Sequence, residues 1–418
     1  MFPSLHTMER VVITGMGVVS PIGTTLAQFE ASLFAGRHGI VPIDHFDTEG
    51  MSVKVYAPVC GLAVEEHFAP QELRRLDPHS VFGMIAAREA FAQAGLAGEI
   101  DPYRLGVNMC SGLGGVETAL GEYDVLRDRG PRKVSPMLIP KWIPNMIAGL
   151  VSIDVGARGA SVSHNAACAS SAVSIGAGLR AIRHGYADAV VCGGAEAVTQ
   201  RLMMSGFQSL RALSTSSDPD RASIPFDRER SGFVMGEGGA AIVLERESHA
   251  RARGARIYGI VSGYGITSDA SHITAPAENG EAIARAITDS LAEADAANGP
   301  TGDAPLHVNA HGTGTILNDR IEAAVIERVL GEETLVTSTK SMTGHLLGAA
   351  GVTEVIACTL ALTAGAVPAT AGTIELSEGM RVDVVRGSVR QAAITRAVSL
   401  SLGFGGHNVA LVIDRAGA

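Results

Sequence analysis

A cysteine at the start of a small-residue helix is the first position in this sequence that could do chemistry. Cys168 follows a short β-prone run, residues 160–164, and nearly every residue after it as far as Ile182 is small or aliphatic. A helix that is apolar on all sides is buried. Its first turn offers unpaired backbone N–H groups and the positive end of the helix dipole, which favour a thiolate. The pattern predicts a nucleophile, although a buried cysteine often acts only as a small apolar side chain.

Two histidines and a lysine occupy glycine-rich turns later in the chain. His311 ends an apolar strand and is followed by Gly-Thr-Gly-Thr, while Lys340 and His345 come shortly before a second small-residue helix. A single buried histidine is usually a satisfied core residue. Two histidines in glycine-flanked turns, together with a cysteine at a helix start, indicate an active site.

The turns belong to segments that resemble one another in pairs. Each pair consists of an apolar strand followed by a glycine-rich turn, and the pairs are 105–115 with 306–315, and 189–194 with 398–406. Because both pairs recur in the same order, we predict an internally duplicated α/β fold, with chance similarity of glycine turns as the alternative.

The polar stretch 246–256 is the predicted seam between the duplicated halves. Residues 1–250 then form a first domain that carries the cysteine, and residues 251–418 form a second domain that carries the lysine and both histidines. A chain of 418 residues is longer than a single core usually grows, which agrees with this division.

Composition excludes several classes of protein. The five cysteines include no C-x-x-C pair, so neither a disulfide framework nor a zinc site is predicted, and a reducing compartment is expected. A net charge of −10 argues against nucleic acid as a partner. Met1–Thr7 is too short for a signal peptide, and no run of about 20 uninterrupted apolar residues predicts a membrane span. We therefore expect a cytoplasmic protein.

The chain resembles the β-ketoacyl-acyl carrier protein synthases, elongating condensing enzymes of the thiolase superfamily, and within them the type II (KAS II) group. The resemblance covers essentially the whole chain and rests on A-C-A-S-S around Cys168, H-G-T-G-T from His311, S-T-K-S-M-T-G-H-L-L-G-A-A-G around Lys340 and His345, and G-F-G-G around Phe404. It implies a thiolase fold of two duplicated βαβαβαββ halves in a five-layered αβαβα arrangement, and a homodimer.

The same resemblance implies a reaction and its catalytic residues. Cys168 takes an acyl chain from acyl carrier protein as a thioester, and condensation with malonyl-acyl carrier protein gives 3-oxoacyl-acyl carrier protein and CO₂ in fatty acid elongation. His311 and His345 match the pair that binds the malonyl carbonyl, where two N–H donors would stabilise an enolate. Lys340 matches a lysine that sets the electrostatics of the site, and Glu354 matches its acidic partner.

The resemblance further implies an oxyanion hole and a gate. The backbone N–H groups of Cys168 and Phe404 would form the oxyanion hole, and Phe404 would be a gate that is made mobile by Gly403 and Gly405. No metal or bound cofactor is implied, because phosphopantetheine arrives on the carrier protein.

Three apolar or aromatic positions bear on the acyl pocket. Leu113 and Leu402 are expected to line the acyl channel; Leu402 stands where these enzymes commonly have a second phenylalanine, and His407 where threonine is frequent. Residues 318–322 and the H-G-T-G-T motif also look somewhat like those of specialised synthases. A ketosynthase of a specialised lipid or polyketide-type pathway is therefore the main alternative function.

Carrier protein docking requires positive charge, since acyl carrier proteins are acidic as a family. The basic residues that resemble docking positions lie on predicted exposed loops and are Arg74, Arg75, Arg132, Lys133 and Arg211.

Other functions fit the residues less well. A thiolase that uses coenzyme A thioesters would have a second catalytic cysteine near its C-terminus, but the last cysteine, Cys358, falls inside an apolar helix. A silent partner subunit should lack Cys168. A module that only binds carrier protein has no reason to bury a cysteine together with two histidines.

Overall fold

A computed structural model describes residues 9–302 and 304–417 of the protein, and Met1–Thr7, considered above as a signal peptide, lies outside them. The strands are β1 (Val11–Val19), β2 (Val41–Pro42), β3 (Val55–Tyr56), β4 (Leu105–Cys110), β5 (Ser161–Val162), β6 (Ala189–Glu196), β7 (Gly238–Arg246), β8 (Gly259–Ser268), β9 (Leu306–Asn309), β10 (Leu335–Thr337), β11 (Ala366–Val367), β12 (Asp383–Val384), β13 (Arg390–Gln391), β14 (Arg396–Gly403) and β15 (His407–Arg415). The helices are α1 (Leu26–Ala35), α2 (Pro70–Leu73), α3 (Pro78–Ala94), α4 (Val116–Arg129), α5 (Leu138–Trp142), α6 (Met146–Val155), α7 (Ser170–Arg183), α8 (Arg201–Ser209), α9 (Glu247–Ala252), α10 (Glu281–Asn298), α11 (Ile316–Leu330), α12 (Lys340–Thr343) and α13 (Ala350–Ala364).

The two halves of the chain build sheets with the same strand order. In the first half the order is β1, β7, β6, β4, β5, in which the first two pairs are antiparallel and the last two are parallel. In the second half β8, β15, β14, β9 and β10 repeat this order with the same directions. A short antiparallel contact between β1 and β8 joins the two sheets. The predicted duplication is confirmed, whereas the boundary after residue 250 stays a prediction.

Two helices between the sheets form the middle of five layers. Helix α7 packs against β4 and β6, α13 packs against β14 and β15, and the two helices contact each other. On the outer faces, α3 covers β1 and β7, while α10 covers β8 and β15. Every residue of α13 from Ala350 to Leu362 is buried, as its uniformly apolar sequence requires. The αβαβα order expected of a thiolase fold is confirmed.

Local capping explains where the outer helices begin. The side chain of Asp77 accepts a hydrogen bond from the backbone N–H of His79, and Pro78 occupies the first position of α3. Helix α1 begins at Leu26, because Thr25 caps it by accepting from the N–H of Gln28. The β-prone run before Cys168 contains only the two exposed residues of β5.

One helical stretch has the length and composition of a membrane span, although the sequence predicted none. Leu347–Ala364 is long and apolar enough to cross a membrane by length and composition, but 89% of these 18 residues are buried inside the fold. The stretch includes all of α13, the helix in the middle layer, and it contains Glu354, which is paired with a lysine. It is therefore a core helix.

Candidate active site

Cys168 lies in a strained turn at the start of the central helix α7. Residues Ala167–Ala169 form a 3₁₀ turn directly before α7, and Ala167 has a φ of +50°, which is unusual for a residue with a side chain. The turn exposes 9% of Cys168 to a cleft of about 620 Å³. The cysteine is thus accessible, although the helix that follows it is buried.

The cleft brings together the reactive residues that the sequence indicated. Cleft-lining residues from both halves include Cys168, His311, His345, Leu402, Gly403 and Phe404. Leu113 is not among the residues that line this cleft; it is 40% exposed, and its backbone N–H donates to Glu196. That Leu113 lines the acyl channel stays a prediction.

The two histidines lie edge to face in one wall of the cleft. The ring centroids of His311 and His345 are 5.4 Å apart, with an interplanar angle of 83°. The backbone N–H of Leu347 donates to His345 Nδ1 at 3.3 Å, so a neutral His345 carries its proton on Nε2. Burial, with the charge of Lys340 adding to it, holds the pKa of both rings well below the usual 6.5. Both histidines are therefore neutral at physiological pH.

Two buried carboxylates shape the turn that carries His311. Glu322 accepts hydrogen bonds from the backbone N–H groups of His311 (2.6 Å) and Gly312 (2.8 Å), and Asp319 accepts from Gly314 (3.1 Å). Burial raises the pKa of Glu322 to about 7. Sequence reasoning missed this role; the only signal was that both acids fall on the first turns of the apolar helix α11, one turn apart.

Lys340 and Glu354 form an ion pair beneath the histidines. Both side chains are 2% exposed, and Lys340 Nζ donates to Glu354 Oε1. Glu354 Oε2 is buried and has no hydrogen-bond partner within the described residues. The pairing expected from the resemblance is therefore present in the structure.

The thiol of Cys168 is not preionised, contrary to the expectation from the helix dipole. Burial raises its pKa to about 12, and the attraction of Lys340 opposes this rise without offsetting it, while Glu196 adds to it. The prediction of a stabilised thiolate is wrong. The sulfur must therefore lose its proton during the reaction.

Two unused backbone donors lie beside Cys168. Neither Cys168 nor Phe404 donates its backbone N–H to another residue in 9–302 or 304–417. An added Cβ at Gly403 would lie 2.5 Å from the oxygen of Ala166 and 3.5 Å from the nitrogen of Cys168. Any side chain at position 403 would therefore collide with Ala166, and the glycine leaves the Cys168 N–H open to the cleft.

Comparison with family models covers most of the chain. The N-terminal domain of beta-ketoacyl synthase matches residues 8–250, and the C-terminal domain of beta-ketoacyl synthase matches residues 258–373. The chain belongs to the β-ketoacyl synthase family. It is accordingly a condensing enzyme.

Relatives resemble the synthase over its full length. It is 42% identical over 414 residues to the 3-oxoacyl-[acyl-carrier-protein] synthase 2 of Vibrio cholerae, covering 97% of this chain and 99% of that one. It is 41% identical over 411 residues to the enzyme of the same name from Staphylococcus aureus strain COL, covering 97% and 98%.

Solved structures of ketosynthases share the fold of the synthase. The ishigamide ketosynthase/chain length factor matches with a TM-score of 0.90 at 34% identity, covering 98% of this chain and 100% of that one. A type II polyketide synthase acyl-carrier protein has been solved in complex with its ketosynthase, which matches with a TM-score of 0.88 at 28% identity, covering 98% and 100%.

Phe404 of the synthase lies at the mouth of the cleft. Its ring is half-buried and faces that of Phe207, with centroids 6.3 Å apart. The next residue, Gly405, has a φ of +92° and donates its N–H to the oxygen of Ile273 at 2.8 Å. His407 lies against the same turn, since its Nε2 would be 3.0 Å from a Cβ at Gly405. The turn is thus braced from two sides.

The basic residues predicted to dock the carrier protein lie on separate surface segments. All five are exposed and form no ion pair with any residue that the structure describes: Arg74, Arg75, Arg132, Lys133 and Arg211. Arg211 directly precedes Ala212, which lines the cleft. None of the five lines the cleft itself.

Proposed function

We propose that this synthase joins an acyl group, held on Cys168, to the malonyl group of malonyl-acyl carrier protein in fatty acid elongation. The observation that carries this proposal is the arrangement in the cleft: a thiol with two unused backbone N–H groups beside it and two neutral histidines opposite. The relatives named 3-oxoacyl-[acyl-carrier-protein] synthase 2 support the reaction and the carrier.

Acyl transfer to the cysteine is the first step. Cys168 Sγ attacks the carbonyl carbon of the acyl thioester, the carbonyl oxygen becomes negative, and the proton of the thiol is transferred to the phosphopantetheine sulfur that leaves. The N–H groups of Cys168 and Phe404 stabilise that oxygen. The carbon–sulfur bond to phosphopantetheine then breaks, and its sulfur leaves as the thiol with the proton.

Decarboxylation and condensation follow at the histidines. The malonyl thioester oxygen accepts hydrogen bonds from the Nε2–H of His345 and from a ring N–H of His311. Loss of CO₂ leaves its bonding electrons on the substrate as an enolate, whose charge lies at this oxygen. The enolate carbon attacks the thioester carbonyl on Cys168, a carbon–carbon bond forms, the carbon–sulfur bond to Cys168 breaks, and the released thiolate takes a proton from water.

Labelling of the cysteine tests the assignment. After incubation with an acyl-carrier protein thioester, peptide mass spectrometry should find the acyl chain on Cys168, and Cys168→Ala should abolish condensation. Cys60, which is exposed and distant in sequence, offers a control, because Cys60→Ala should keep both activities. Full condensation by Cys168→Ala, or label on Cys110, would contradict the proposal.

Replacement of the histidines separates the two half-reactions. His311→Ala or His345→Ala should suppress malonyl decarboxylation by about a hundredfold or more, the usual cost of losing an oxyanion donor, and should affect acyl transfer less. Equal loss in both half-reactions would indicate a structural role for the histidines.

We also propose that acyl carrier protein docks on the exposed basic residues. Rim charges act mainly on association and are screened over about 8 Å at physiological ionic strength. Reversing Arg132 and Lys133 to glutamate should raise the apparent KM for carrier-bound substrate several-fold at low salt. Turnover of a short pantetheine thioester should not change. The same charge reversal at Arg37 and Arg415, which are exposed and unpaired within the described ranges, is the control. If the Arg132 and Lys133 variant were equally impaired on the carrier-bound and the pantetheine substrate, the docking role would be refuted.

A second copy of the chain is the other proposed partner. The edge strand β5 is exposed, and large apolar side chains nearby in sequence are exposed as well, including Val162 (42%) and Ile153 (81%). An unpaired strand edge with apolar neighbours favours an isologous dimer. Light scattering should give twice the chain mass, and Ile153→Glu should lower it if this surface forms the interface. A monomeric wild type would contradict the proposal.

The specialised-pathway alternative keeps support from two observations. Leu402 lines the cleft, and the matching solved structures include polyketide-type ketosynthases. The acyl chain trapped on Cys168 from a mixed pool of carrier thioesters distinguishes the pathways. We further propose that the synthase acts in the cytoplasm without a metal or bound cofactor, in which case dialysis against a chelator leaves activity unchanged.

A further inference from the structure

The duplicated fold contains a second copy of the turn that carries Cys168. Leu347–Ala349 form a 3₁₀ turn before α13, as Ala167–Ala169 do before α7. The first residues of the two turns have φ values of +48° and +50°. Gly348 therefore occupies, in the second half, the position that Cys168 has in the first.

The strand ends beside these turns are equivalent as well. Strands β6 and β14 are each eight residues long and run parallel to their equivalent neighbours, β4 and β9. They end at Glu196 and at Gly403. Gly403 has no side chain, so it leaves the N–H of Cys168 free. At the copy of the turn, a glutamate stands in the equivalent place.

The carboxylate of Glu196 fills the copy of the oxyanion hole. Oε2 accepts from the backbone N–H groups of Gly348 (3.0 Å) and Gly112 (2.8 Å). Oε1 accepts from the N–H of Leu113 (3.1 Å) and the hydroxyl of Ser111 (2.7 Å). Glu196 is fully buried. The N–H of Gly348 is the counterpart of the Cys168 N–H. It donates to a carboxylate oxygen of Glu196, whereas the Cys168 N–H is proposed to donate to the substrate oxygen.

We propose that Glu196 is a positioning residue, whose carboxylate holds the turn at Gly348 and thereby orients His345. The connection is short: Glu196 binds the N–H of Gly348, and the preceding residue, Leu347, donates its N–H to His345 Nδ1. That second bond sets which ring nitrogen carries the proton. The inference rests on the function proposed above, since it assigns Glu196 to the decarboxylation step.

Glu196→Gln tests the proposal with little change in shape. In either orientation of the glutamine amide, its NH₂ group replaces a carboxylate oxygen that accepted two hydrogen bonds, and it then faces two donors. We expect the kcat of malonyl decarboxylation to fall about tenfold or more, the usual effect of losing a residue that orients an active-site group, with KM changed less than about twofold. Glu89→Gln is the matched control, because Glu89 also accepts from two backbone N–H groups, of Val18 and Leu26, away from the cleft.

Alkylation of Cys168 gives a readout that a merely structural role would not move. The charge of Glu196 is one cause of the raised pKa of this thiol, so its removal should speed reaction with iodoacetamide at a given pH. Peptide mass spectrometry identifies the modified cysteine. Should Glu196→Gln fail to fold, Ser111→Ala removes one donor and keeps the charge; it should lower decarboxylation about two- to fivefold with an unchanged alkylation rate.

Each outcome decides the matter. A folded Glu196→Gln variant with wild-type decarboxylation and alkylation overturns the proposal, as does a loss that Glu89→Gln reproduces in proportion to its melting temperature. An unaffected Ser111→Ala variant overturns it where the first variant does not fold. Failure of the wild type to condense would refute the proposed function instead, and the alkylation result would still report on Glu196, because it needs no natural substrate.

Discussion

Replacing Lys340 by methionine separates the electrostatic role of the buried ion pair from its role in stability. Methionine has a similar length and no charge. Lys340 and Glu354 are both 2% exposed, and Glu354 Oε2 lacks another partner among the described residues. The substitution therefore leaves a carboxyl group buried and unpaired, which typically costs about 3–5 kcal/mol of folding stability.

The size of this loss should depend on pH. Burial raises the pKa of Glu354, and the variant lacks the lysine that opposes this rise. A carboxyl group whose folded pKa lies above its unfolded value takes up a proton on folding, so its unfavourable contribution grows as pH rises. We expect Lys340→Met to be closer to wild-type stability at pH 5 than at pH 8.

A second substitution in the same chain should restore stability but not activity. Removing both charges, as in Lys340→Met with Glu354→Leu, replaces a buried pair by apolar side chains, which is often neutral or stabilising by about 1–4 kcal/mol. The attraction of Lys340 for the Cys168 thiolate would still be missing. Alkylation of Cys168 should therefore be slower than in wild type in both variants.

Calorimetry at several pH values and the alkylation rate together test this reasoning. A double variant that regains activity along with stability would show that the lysine charge is not needed. A double variant no more stable than Lys340→Met would show that the lone carboxyl group is not the source of the loss.

Two further predictions concern the walls of the cleft. Burial raises the pKa of Glu322 to about 7 from a usual 4.5, so the contribution of this group to folding stability should fall by up to roughly 3 kcal/mol as pH rises from 4.5 to 7. Glu322→Gln should therefore flatten the dependence of calorimetric stability on pH. Parallel pH profiles for the variant and the wild type would contradict this. Gly403→Ala should suppress acyl labelling of Cys168 about a hundredfold, because the added Cβ would lie 2.5 Å from the oxygen of Ala166. Gly121→Ala in α4 is the control: the site has open space, so labelling should be normal and folding stability should rise by about 0.5–1 kcal/mol. Equal labelling of the two variants would refute the steric argument.

The fold was predictable where the signal is local or repeated. Asp77 and Pro78 mark the start of α3 because capping depends only on neighbours in sequence. The duplication was visible because two strand-and-turn patterns recur in the same order. The length of β5 was not predictable, since its pairing with β4 depends on a strand more than fifty residues earlier.

The site was predictable in its members but not in its electrostatics. The sequence places Cys168 at a helix start, which argues for a low pKa, but burial and the charges of Lys340, Glu196 and Glu354 act through tertiary structure. None of these charges is adjacent in sequence to the cysteine.

The contrast between Glu196 and Gly403 explains how a duplicated fold can hold one reactive centre in each chain. Both halves build the same strained turn at the start of a central helix, and each turn directs a backbone N–H towards the end of the equivalent strand. A glycine at that end leaves the N–H free for a substrate oxygen, whereas a glutamate satisfies it permanently with a buried carboxylate. The resemblance of 189–194 to 398–406 stops short of Glu196, so the two residues could be compared only after strand pairing had aligned β6 with β14. On the roles proposed here, the second turn is thus free to hold His345 in place while the first carries Cys168, the proposed nucleophile.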